Sequence, residues 1–157
     1  MTLNTPTPSW RQSHLGHWLA QASARFERRV LALMAANERM PLALANLAGR
    51  GKLTASHIHI TRHLALEGSR LTELAARANV SKQAMGKLVD QCEAWGLVQR
   101  QDDPRDARAW QVVFTAAGLS WLQAFQEAVT QAQAELHDAV GDDVATVIAL
   151  GLEAYAA

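Results

Sequence analysis

Apolar residues recur at steps of three and four along most of this chain. From Trp10 onward, Leu15, Leu19, Ala22, Phe26, Val30 and Leu33 keep to one face, with Arg25, Arg28 and Arg29 beside them. That spacing predicts a long amphipathic helix reaching Asn37. Pro41 breaks it, and a short helix is expected over Leu42 to Ala48, ended by Gly49 and Gly51. Thr54 is placed to cap a helix over Ala55 to Leu66, with Gly68 as its stop. Ser69 or Arg70 opens a helix from Leu71 to Ala78, Asn79 and Val80 turn the chain, and Ser81 caps a helix reaching Trp95 and stopping at Gly96. Leu97 to Arg100 and Ala109 to Phe114 then have strand character, with Trp110, Val112 and Phe114 alternating with Gln111 and Val113. Thr115 caps a second long helix whose expected inner face is Leu119, Leu122, Gln126, Val129, Gln133 and Leu136. Gly141 breaks that helix, and Asp142 is expected to cap a last one carrying Val144, Val147, Ile148 and Leu152. The pattern is mostly α with one small β-hairpin.

Composition adds little to this, but charge distribution adds more. The chain has 157 residues, 49% hydrophobic and 19% charged, as an ordinary globular domain does. Residues 1–9, with Pro6 and Pro8, are expected to be a disordered tail, and residues 10–157 a single domain. The N-terminus lacks a basic segment followed by an apolar core, so no secretory signal is expected. The longest apolar run within a helical pattern, Val30 to Ala36, is too short to span a membrane. The single cysteine, Cys92, cannot close an internal disulfide, and a cytoplasmic location fits. Net charge is zero, yet residues 1–68 carry eight Lys/Arg against three Asp/Glu, while residues 109–157 carry no Lys or Arg and six Asp/Glu. The two ends can attract each other, within one chain or between two.

Two stretches carry candidate chemistry. In LTELAARANVSKQAMGKLVD, Leu71, Leu74 and Ala75 form one apolar face, and Ala84, Met85, Leu88, Val89 and Cys92 the next, joined by a short turn. Such a corner places a second helix in the DNA major groove. Its first turns offer Ser81, Lys82, Gln83 and Lys87, groups that reach base edges or phosphates. Gly86, read as facing outward, weakens the helix by about 1 kcal/mol against Ala, and close backbone approach to a nucleic acid would justify it. The second stretch, QDDPRDAR, puts charge of both signs on the hairpin tip. A hairpin directly after a recognition helix is a wing, and Arg105 and Arg108 suit a narrow minor groove. Asp106 is expected to fix Arg108 through a charge-assisted pair. Asp102 and Asp103 would repel phosphate, and they either cap backbone N–H groups of the turn or face solvent.

The residues LTELAARANVSKQAMGKLVDQCEAWGLVQR, then DPRDAR, then FTAAG, resemble the core of the multiple antibiotic resistance regulator (MarR) family of winged-helix transcription factors. The match covers about residues 69–118, with Asp103, Pro104, Asp106 and Arg108 as wing elements and Phe114, Thr115 and Gly118 as the helix start. The resemblance implies a homodimer with a winged helix over 54–114, an N-terminal dimerisation region over 10–53 and C-terminal dimerisation helices over 115–157. It implies a repressor that responds to a small aromatic or anionic ligand and reads a pseudo-palindromic operator in double-stranded DNA. Two half-sites would lie about one helical turn apart, roughly 34–36 Å. Departures from the family's usual text are Gly86, Cys92, Ala107 and Trp110, which leave the DNA surface less basic than is common.

Sensor candidates are sparser. Cys92 falls on the inward face and reads as a core thiol. His59, His63 and Glu67 share one helical stripe that could hold a metal, with His14 and His17 nearby in type. No Cys or HExxH spacing supports that, so no metal site or cofactor is assigned. Trp18, Phe26, His59 and His63 are instead candidates for an organic-ligand pocket. Neither a GxSxG, a phosphate loop nor a pair of catalytic carboxylates is present, and an enzyme is not expected. The rival reading is a winged-helix protein-interaction module with weak or no DNA binding, which the neutral charge, Ala107 and Gly86 keep open.

Overall fold

The computed structural model describes residues 8–40, 45–46, 57, 60 and 62–157. A 3-10 turn over Pro8–Gln12 leads into α1 (Leu15–Ala35). The first helix thus begins later than the apolar pattern alone suggests. His14 is its cap, with Nδ1 accepting the His17 N–H at 3.2 Å. Pro8 and Ser9, expected in a disordered tail, belong to the 3-10 turn. The expected helices over 42–48 and 55–66 fall mostly outside the described residues. Ala45, Asn46, His57, Ile60, Arg62 and His63 are helical. The rest of the chain forms α2 (Leu71–Arg77), α3 (Lys82–Ala94), the hairpin β1 (Val98–Asp103) and β2 (Asp106–Phe114), then α4 (Ala116–Val140) and α5 (Asp142–Ala156).

Local chemistry sets the helix ends. The Arg70 N–H donates to the Glu73 carboxylate at 3.1 Å, which opens α2. At its other end Asn79 takes a left-handed conformation, φ 51°. The Val80 N–H then reaches the Ala75 carbonyl and the Asn79 N–H the Ala76 carbonyl, the paired bonds of a Schellman stop. Ser81 follows at once, its hydroxyl accepting the Ala84 N–H at 3.1 Å to start α3. α3 ends in the same way, with Gly96 at φ 73° and the Leu97 and Gly96 N–H groups bonded to the Cys92 and Glu93 carbonyls. Two left-handed residues therefore produce the sharp turn of the helix-turn-helix, at Asn79, and the entry into the hairpin, at Gly96.

One core joins these elements. Val30 and Met34 of α1, Leu74 of α2, Met85, Val89 and Cys92 of α3, Val98 and Val112 of the hairpin and Trp121 of α4 are all buried. Ala75, also buried, permits the close α2–α3 crossing. Ala84, expected to face inward with Met85, is exposed instead, one residue too early for the buried stripe. The inner face of α4 also differs from expectation. Gly118, Trp121, Ala124, Ala128 and Ala132 are buried, whereas Leu119 and Leu136 are exposed. The hydrophobic-strength pattern pointed to the leucines. The small residues are what allow α1 to lie close along α4.

That α1–α4 contact is also where the charge asymmetry is spent within the chain. Arg29 donates from Nε and Nη2 to both Glu135 oxygens at 2.7 Å. Arg39 and Asn37 both donate to Glu127, each at 2.9 Å. Gly141, φ 86°, separates α4 from α5, and it rather than Asp142 occupies the cap position of α5. Asp142 Oδ1 sits 2.9 Å from His137 Nδ1 at the end of α4. Along α5 only Ala145 is buried, and Val144, Val147, Ile148, Leu150, Leu152 and Tyr155 are exposed.

Candidate nucleic-acid interface

The start of α3 presents Ser81, Lys82, Gln83 and Lys87 to solvent, while Met85, Val89 and Cys92 on its other side enter the core. The residue types that can read DNA are thus separated from the anchoring ones by the helical period. Gly86 is not on the outer face. It is half-buried, and a Cβ there would meet the Leu71 side chain at 3.9 Å, an ordinary contact. The structure supplies no packing reason for a glycine at this position.

β1 and β2 pair antiparallel from Val98↔Phe114 to Asp102↔Trp110. The strands run further toward the tip than their apolar pattern suggested, so most of the charged octet lies in strand rather than loop. The ladder breaks between Asp102 and Asp103, where Asp103 pairs with Asp106 around a two-residue turn, Pro104–Arg105. Arg105 and Arg108 are exposed. The expected Asp106–Arg108 side-chain pair is replaced by another arrangement. Asp106 Oδ1 accepts the backbone N–H of Arg108 at 3.1 Å, and its other oxygen lies 3.5 Å from Arg70 Nη2. Asp103 does cap the turn, accepting the Arg105 N–H at 2.8 Å. Asp103 is itself buried and takes Arg70 Nε at 2.6 Å. The Arg105 N–H first, and then the Arg70 guanidinium, hold its carboxyl down at about 2.

The base of the hairpin is fixed from three sides. Ser69 makes a two-bond bridge with Val112, at 3.0 and 2.9 Å, and its hydroxyl accepts from Arg77 at 3.0 Å. Arg100 reaches back to Asp90 at 2.5 Å and to Glu93, both on α3, while its guanidinium lies 4.9 Å from the centre of the Trp110 ring. Trp110 is therefore a stacking surface for a cation that ties the hairpin to α3. At the far end, Thr115 Oγ1 donates to the Gly96 carbonyl at 2.5 Å and accepts the Gly118 N–H at 3.0 Å. A Cβ on Gly118 would collide with the Leu97 carbonyl, which explains the glycine of FTAAG.

Sequence reasoning missed Arg70, Arg100 and Trp110 as wing supports. Their partners are 7 to 36 residues away, and nothing local marks them. The ligand candidates are less connected. Trp18 is 58% exposed on α1, Phe26 lies two turns further and is half-buried, and the His63 carbonyl accepts from Arg77 at 3.2 Å. His59 lies outside the described residues. Among those described, no three His, Cys, Asp or Glu side chains are grouped to hold a metal. Burial pushes the Cys92 thiol up to about 12, far from a reactive thiolate. His57, buried with Nε2 2.8 Å from Gln91 Oε1 and its ring 4.7 Å from Trp95, joins the preceding segment to α3. No helix among the described residues is long and apolar enough to cross a membrane.

Residues 52–109 match the MarR family model. No curated protein matches the chain. Among solved structures, the transcriptional repressor CouR bound to a 23-mer DNA duplex is 20% identical with a TM-score of 0.70, over 99% of this chain and 100% of that one. CouR from Rhodococcus jostii RHA1 bound to p-coumaroyl-CoA is 22% identical, TM-score 0.62, over 92% and 93%. A MarR family protein from Mycobacterium tuberculosis in complex with p-aminosalicylic acid is 23% identical, TM-score 0.61, over 92% and 100%. The chain thus matches the MarR family model over residues 52–109 and shares the fold of the solved MarR family transcriptional regulators.

Proposed function

We propose that this protein is a homodimeric, sequence-specific DNA-binding transcriptional regulator, acting as a ligand-responsive repressor at a pseudo-palindromic operator. The observation that carries the reading is the solvent-facing row Ser81, Lys82, Gln83 and Lys87 on α3, beside a braced hairpin whose tip exposes Arg105 and Arg108. The helix enters the major groove, where Gln83 reads a base edge and Lys82 and Lys87 meet phosphates. The wing arginines lie along the minor groove. Residues 10–53 and 115–157 form the dimer core, which covers the apolar residues that α5 leaves exposed. DNA in the CouR complex, and the acyl thioester and the aromatic acid in the other two structures, support the partner classes. Trp18, Phe26, His59 and His63 are the proposed ligand contacts.

Two substitutions test the placement of the DNA face. Arg108→Ala should weaken binding across all sequences and lower the salt slope by about 1. Gln83→Ala should relax preference at one base pair, by about 1–3 kcal/mol. Unchanged binding in both variants would remove α3 and the wing from the interface.

A further inference from the structure

We propose that Arg70, at the N-terminus of α2, is a wing-positioning residue: through the buried carboxylate of Asp103 it sets where Arg105 and Arg108 stand relative to the recognition helix. The inference rests on the DNA-binding reading above and adds a residue to it.

The hairpin loses its own support near its tip. Ladder pairing is regular up to Asp102↔Trp110 and then breaks, so the residues between Asp106 and Trp110, Arg108 among them, have no opposite partner on β1. At that break a side chain from outside the hairpin takes over. Asp103 points inward, 2% exposed although it lies at the tip of a hairpin. It receives Arg70 Nε on Oδ2 at 2.6 Å, and the Arg105 N–H and Nε on Oδ1 at 2.8 and 3.4 Å. The other arm of the Arg70 fork approaches Asp106, the residue whose carboxylate holds the Arg108 backbone N–H. One guanidinium therefore governs both aspartates that shape the backbone under both wing arginines. Its own backbone is fixed by Glu73, on a helix that crosses α3 through buried Leu74 and Ala75. The fork geometry suits this task, because a planar donor pair sets direction as well as distance. Arg70 also withdraws negative charge of Asp103 and Asp106 from a surface that must approach phosphate.

A double-mutant cycle on operator binding tests the assignment, using Arg70→Ala, Arg108→Ala and the pair, with thermal melts alongside. Arg70→Ala should weaken binding by about tenfold, and in the Arg108→Ala background the same change should cost clearly less than that, because only Arg105 is left to misplace. In footprints the flanking minor-groove protection should fade while Gln83-dependent base preference persists. Arg70→Lys, which keeps the charge but loses the fork, should recover only part of the affinity. Hydrogen exchange at the Arg105 amide should speed up in Arg70→Ala without DNA present. Additive losses would make Arg70 a direct phosphate contact, and loss of the central base preference would make it a general fold residue. Either result overturns the proposal, as does unchanged Arg105 exchange. If the wild-type protein binds no duplex, the DNA reading fails by itself, and the exchange measurement still decides whether Arg70 holds the wing. Should Arg70→Ala fail to fold, Asp103→Asn, of nearly the same shape, supplies the same cycle.

Discussion

At the scale of single residues, the least replaceable side chain is one that is missing. Gly118 sits where α4 passes the end of α3, and any Cβ there meets the Leu97 carbonyl. Backbone cannot rotate away as a side chain can, so Gly118→Ala should destabilise the fold by about 1–3 kcal/mol or more, the usual range for overpacking. Chemical denaturation would measure it, and a variant as stable as wild type would show that the α3–β1 corner yields easily. Glycine in FTAAG was visible in the sequence, but its reason was not, because the collision is with a residue 21 positions earlier. Asp103 shows the same limit. Its sequence neighbours gave only the choice between capping the turn and facing solvent. Capping is correct, and the additional bond to Arg70 depends on the packing of the wing against α2.

At the scale of elements, the segments with strong local signals were legible. Ser81 and Thr115 cap the helices they were expected to cap, and Gly96 stops α3. Where two faces of a helix compete, hydrophobic strength misled. In α4 the buried stripe is alanine, glycine and tryptophan, since closeness to α1 mattered more than the apolar area of each side chain. The ion pair that accompanies this contact has a pH signature. The Arg29 guanidinium donates two bonds to Glu135 and holds its carboxyl down at about 2, against an ordinary 4.5. A lowered folded-state value means the pair stabilises fully above pH 4.5, and that stabilisation is lost as pH falls through 4.5 toward 2. Glu135→Gln should therefore lower Tm modestly above pH 4.5 and converge with wild type as pH falls toward 2, which flattens part of the acid limb of a Tm-against-pH curve. An acid limb identical to wild type would mean that the pair persists in the unfolded chain or that it does not form in solution. The pair is partly exposed, so the change should be modest and should shrink with added salt.

At the scale of the whole molecule, the fold divides into a braced reading head and long helices with uncovered apolar residues. Three clasps fix the head: Ser69 to Val112, Arg100 to Asp90 and Glu93, and Arg70 to Asp103. Under the proposed DNA-binding function they suit a surface that arrives already shaped, because ordering a loose wing on binding would subtract from affinity. α5 leaves Val147 69% and Tyr155 86% exposed, an amount of apolar surface that a second copy of the chain would cover. The mostly α architecture and the wing were legible in the motif order. The ligand candidates were named from residue type and helical stripe alone, and no local pattern joins the two segments they come from. The most direct test of the account is selection of bound sequences from a random duplex pool by the purified protein, with affinity then followed across salt. The expected result is a pseudo-palindrome with half-sites about one helical turn apart and a steep fall in affinity with rising salt. Recovery of no enriched sequence, with binding absent at low salt, would contradict a DNA-reading function and turn the exposed faces of α3 and α5 toward protein partners.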